Sequence, residues 1–179
     1  MKDKTRALTF SAMLLAIGQV LPFITGQIPQ IGKMLCPMHF PVLLCGFICG
    51  WQYGALIGFI CPLLRSVLFG MPVMYPSAIG MAFELMTYGL ISGLISKKIG
   101  TDAIWKIYTS LISAMLCGRI VWGLAQIALL GIQGNSFTFS AFLAGGFVNA
   151  VPGIILQLIF IPLLVRVYMQ RIEKRSKLN

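Results

Sequence analysis

Three ionisable side chains, Arg65, Glu84 and Arg119, fall inside long apolar runs of the sequence. A charge in hydrocarbon is costly, so such groups face a cavity, a partner charge or the interior of a helix bundle. Tyr88 follows Glu84 by one helical turn and shares its face. Trp122 and Gln126 lie on the face of Arg119, and Asn149 and Gln157 occur in a further apolar run. Counting ~1.5 Å per residue from the loop ends puts Arg65 near the outer interface, Glu84 about 12 Å deep and Arg119 near the midplane. Two readings stay open. Arg65 can snorkel outward, and Glu84 and Arg119 can pair to lock two helices. Alternatively, Arg65, Glu84, Tyr88, Arg119, Trp122, Gln126 and Asn149 line a pocket that opens outward and meets a polar or anionic solute.

Other reactive residue types carry less. His39, the sole histidine, stands in CPMHFP at the outer start of a segment and fits an interfacial hydrogen bond. One histidine and scattered cysteines do not make a metal set. The five cysteines mostly lie in apolar runs, where they read as small packing residues. The sequence has no G-x-S-x-G, no H-E-x-x-H, no paired aspartates and no phosphate-cradling loop. Neither an enzyme nor a resident cofactor is expected, and any ATP would be spent by a partner subunit.

The elements that position these residues follow from composition. Of 179 residues, 58% are hydrophobic and only 10% charged, against roughly 25% charged in soluble domains. Runs of about 20 apolar residues, enough to cross ~30 Å of hydrocarbon, recur along the chain. Backbone groups must be satisfied within such runs, so helices are expected. The predicted fold is an all-α bundle of six membrane helices in one domain, residues 1–179. The segments are 7–25, 38–50, 52–70, 76–96, 107–131 and 139–169, with a solvated tail at about 170–179. The second segment is short for a span. The first is too long for a signal-peptide core and reads as a retained helix.

The net charge of +10 is placed for membrane orientation rather than for nucleic acid. With both ends cytoplasmic, the inner side holds Lys2, Lys4, Arg6, Lys97, Lys98, Lys106, Arg166, Arg171, Lys174, Arg175 and Lys177. The outer loops hold only Lys33. This asymmetry predicts cytoplasmic termini and an even number of spans. In the first segment, Ala12 and Ala16 share a face where another helix can approach closely.

The length, the six predicted spans, the A-x-x-x-A pair and the block PMHFPVLLCGFICGWQYGALIGFICPLLRSVLFGMPVMYPSAIGMAFELMTYGLISGL, residues 37–94, together resemble the S components of energy-coupling-factor transporters. The similarity is to the broad group of riboflavin, folate and pantothenate binders. It implies a bacterial plasma-membrane subunit that binds a vitamin or related micronutrient from outside. Such a subunit docks on a transmembrane coupling subunit carrying two ATPases, and it is thought to topple to release its cargo inside. The resemblance maps the docking face to Ala12 and Ala16, and the caps of the pocket to residues 26–37 and 69–76. Pantothenate is one substrate it suggests, beside a pyridoxine, a hydroxymethylpyrimidine or a queuosine precursor. Two other classes compete: a membrane enzyme acting on lipid-linked substrates, which would need a convergent catalytic set, and a structural or regulatory subunit without a ligand.

Overall fold

The computed structural model describes residues 2–24 and 34–177, with side chains for 4–23 and 34–171. The described residues contain helices and no strands. Helix α1 is Lys2–Ile24, α2 His39–Cys49, α3 Trp51–Phe69, α4 Ile79–Ile99 and α5 Ile104–Ile132. The short α6, Phe139–Leu143, runs into a wound segment, Ala144–Val148, and α7 is Val151–Lys177. Five helices among the described residues are long and apolar enough to cross a membrane: those of α1, α3, α4 with its lead-in from Met74, α5 and α7.

One expectation changes. The second segment, expected to be short for a span, is a helix of 11 residues, about 16 Å long, half of what a hydrocarbon layer requires. The sixth segment is not one helix. It breaks at Asn149 and Ala150, after Gly145 and Gly146, and restarts with Pro152 in the first turn of α7. Proline fits there because first-turn N–H groups have no helical partner. Helix α7 then continues to Lys177, so the basic tail is helical for most of its length.

Close packing of α2, α3 and α4 is written in glycines. Gly46, Gly50, Gly54 and Gly58 recur every four residues, and Gly89 and Gly93 answer them on α4. A Cβ on Gly89 would lie 2.2 Å from the Gly54 carbonyl, and one on Gly58 would lie 2.3 Å from the Leu85 carbonyl. Without side chains between them, the backbones touch, which is how helices associate where no water drives them together. Gly50 turns the chain between α2 and α3 at φ +96°, a conformation other residues rarely adopt.

These crossings fix the register. Helix α1 runs parallel to α3, with the Phe23 and Phe69 rings 5.0 Å apart at one end. At the other end Phe10 of α1 meets Tyr168 of α7 at 6.2 Å, so both terminal helices leave the bundle on the same side. There Asp102 pairs with Lys106 at 2.8 Å, and that hydrogen bond holds the Asp102 carboxyl below its ordinary range.

Candidate functional site

Glu84 and Arg119 come from adjacent helices and meet. Arg119 Nη1 stands 2.7 Å from Glu84 Oε1, with both side chains almost fully buried. His39, at the start of α2, brings Nε2 to 3.5 Å from the same oxygen. The Tyr88 ring packs edge-on to His39 at 5.3 Å and is wholly buried. Gly118 makes room for it, since a Cβ there would come within 2.0 Å of the ring. Arg119 Nη2 also reaches Cys36 Sγ at 3.9 Å. Cys36 holds φ at +48°, a conformation uncommon outside glycine that tends to cluster at ligand sites.

One to two turns further along α5, the site changes character. Gln126 is buried and faces Gly80, where a Cβ would lie 3.1 Å from Nε2. Trp122, half-buried, packs on Gly145 and Gly146. It stacks on Phe142 at 6.3 Å and meets Phe137 edge-on at 5.7 Å. The result is an ion pair flanked by an aromatic wall. The Tyr75 hydroxyl donates to the Leu129 carbonyl, which ties the loop before α4 to the same end of α5. The greater part of the other cap, residues 26–37, lies outside the described residues.

Several buried polar atoms in this cluster have no well-formed hydrogen bond among the described residues: both ring nitrogens of His39, Glu84 Oε1, the Tyr88 hydroxyl, Arg119 Nε and Gln126 Oε1. On α7, both amide atoms of Gln157 share that condition. Buried polar groups are normally satisfied, and each exception calls for an account. A ligand or ordered water would supply one.

The predicted residues do not all meet. Glu84, Tyr88, Arg119, Trp122 and Gln126 come together. Arg65 does not join them. Its Nη1 donates to the Gln19 carbonyl of α1, its guanidinium lies 5.1 Å from both the Phe23 and Phe69 rings, and it is 3% exposed. Gln19 in turn donates to the Cys61 carbonyl of α3 at 3.0 Å. The bonds run both ways and join α1 to α3. Since Gly58 abuts Leu85 on the antiparallel α4, Arg65 stands six residues, about 9 Å, beyond the level of Glu84. Asn149 also stays out of the cluster. The break before α7 leaves it exposed. Ala12 and Ala16 are both exposed, on the outer face of α1.

His39 and Cys36 are the residues that sequence reasoning missed. His39 was expected at the interface, yet it is 2% exposed. Nothing local signals its meeting with Glu84, which lies far along the chain.

A family model described as ECF transporter, substrate-specific component, matches residues 6–165. No curated protein and no solved structure matches the chain.

Proposed function

We propose a ligand and a topology for this chain from the premise that it belongs to the substrate-specific components of ECF transporters, whose family model spans most of its length. It is a substrate-binding subunit of an ECF importer and a multi-pass membrane protein, not an enzyme. Its family implies a small-molecule substrate and association with a module of coupling and ATPase subunits.

In our reading, residues 1–179 form a single domain in the plasma membrane of a bacterium, crossing it six times, with α2 as the short crossing. The basic ends are cytoplasmic, in keeping with the positive-inside count. A partner hydrolyses ATP, and the exposed Ala12–Ala16 face of α1 receives the transmembrane coupling subunit. The cargo is a vitamin or related micronutrient. Pantothenate is a candidate by sequence likeness, alongside uncharged micronutrients.

One observation carries the assignment of the pocket: a buried polar cluster from α2, α4 and α5, with unpartnered hydrogen-bonding atoms beside the Trp122–Phe142 wall. Polar groups converging beside an apolar surface are what a small-ligand site requires. The test is mass spectrometry of small molecules extracted from the purified chain, followed by titration calorimetry with the molecule found. A tightly bound micronutrient is expected. Protein that neither carries nor binds one would reject the pocket and favour a ligand-free subunit.

A further inference from the structure

The charge arithmetic of the site narrows its ligand. Arg119 is the cation of the cluster, and Glu84 stands 2.7 Å from it, so the pair is neutral as a unit. Arg65 lies about 9 Å away along the helix axis and is engaged by the Gln19 carbonyl and two phenyl faces. Among the described residues, the cluster therefore offers no unpaired cation. A carboxylate entering would bring a second anion beside Glu84 in a space shielded from water, where like charges repel strongly. Displacing Glu84 from Arg119 would not help, because a buried unpaired carboxylate would then remain.

What the cluster does offer is unpartnered atoms of both kinds. Arg119 Nε is a donor and Gln126 Oε1, two turns along α5, an acceptor. His39 Nδ1 can be either, according to its tautomer. Between Arg119 and Gln126 on α5, Trp122 with Phe142 forms an aromatic flank. We infer that the pocket selects an uncharged ligand that both donates and accepts hydrogen bonds, and that Glu84 sets this choice by neutralising Arg119. His39 is a specificity residue of that pocket. The inference rests on the proposed reading of the cluster as the ligand pocket.

The experiment uses the full-length protein in detergent. Small molecules extracted from it are identified by mass spectrometry. Calorimetry then compares two matched pairs, panthenol with pantothenate and pyridoxine with 4-pyridoxate. Each pair differs chiefly in a carboxylate. The expected result is an extracted ligand that is uncharged at neutral pH, and at least a tenfold preference for the uncharged member of any pair that binds. An extracted carboxylate or phosphate, or preference for the acid, overturns the inference and leaves the pocket standing. No extracted ligand and no binding of any probe overturns the pocket as well. Glu84→Gln, which frees the Arg119 charge, should shift the preference toward the acid by tenfold or more. An unchanged ratio in folded variant protein removes Glu84 from the role assigned to it. Where that variant fails to fold, the wild-type comparison decides.

Discussion

Arg119 of α5 sets its guanidinium 2.7 Å from the carboxylate of Glu84 on α4, with neither group open to solvent. The pair does two things at once. It satisfies both charges inside the bundle, and it fixes the α4–α5 interface around which Tyr88, Trp122 and Gln126 are arranged. Removing one partner leaves the other charge buried and alone, which typically costs 3–5 kcal/mol. Arg119→Ala and Glu84→Ala should each lower the thermal unfolding temperature of the detergent-solubilised protein sharply. The double variant Glu84→Leu with Arg119→Met should regain most of that stability while losing ligand. Additive losses in the double variant would mean that the two residues act separately.

Arg65 gives the opposite expectation. It latches α1 to α3 through the Gln19 carbonyl, and a hydrogen bond from a charged donor contributes about 1.5–3 kcal/mol. Arg65→Ala should therefore destabilise the protein by about that amount, with ligand affinity changed less than threefold in the folded fraction. Calorimetry at a temperature well below unfolding reads the second quantity. A loss of affinity of a hundredfold would return Arg65 to the pocket.

The glycine crossing of α3 and α4 predicts a steric effect. A methyl group on Gly89 would meet the Gly54 backbone at 2.2 Å. Backbone cannot swing aside as a side chain can, so the helices must separate. Gly89→Ala should cost at least the ~1–3 kcal/mol of an overpacked core, and Gly89→Leu should prevent folding. Gly131→Ala, with open space at its Cβ, serves as the control and should be neutral or slightly stabilising.

Orientation is open to chemical labelling. Asn135 and Asp102 are both exposed and lie at opposite ends of α5. In a background without native cysteines, a membrane-impermeant thiol reagent added to whole cells should modify a cysteine at position 135 and spare one at 102. The reverse pattern would invert the proposed topology.

Docking can be separated from binding. Ala12 and Ala16 are exposed on α1, and their small volume permits close helix approach. Ala12→Trp or Ala16→Trp should abolish uptake and co-purification with the coupling module, with ligand affinity of the isolated subunit within a few-fold of wild type. Intact complex assembly in both variants would place the docking surface elsewhere.

The sequence by itself determined the solvent and the element type. Apolar runs of the right length leave the backbone no other way to satisfy its groups in lipid, so helices around Arg65, Glu84 and Arg119 were legible from residue order alone. So was the shared face of Glu84 and Tyr88, because a helix repeats every 3.6 residues. Which helices touch was not legible, because a helical face does not name its neighbour. Glu84 could have taken either arginine. Gly118 packing against Tyr88 and the Glu84 carbonyl gave it Arg119, and the contact of Gly58 with Leu85 left Arg65 with the Gln19 carbonyl about 9 Å away. The packing of α2 on α4 carried His39 from an expected interface into the buried cluster, and the helix break at Asn149 and Ala150 turned Asn149 out of it. Periodicity is local and is written in the sequence. The pairing of charges depends on distance in space, and only close packing of the helices decided that.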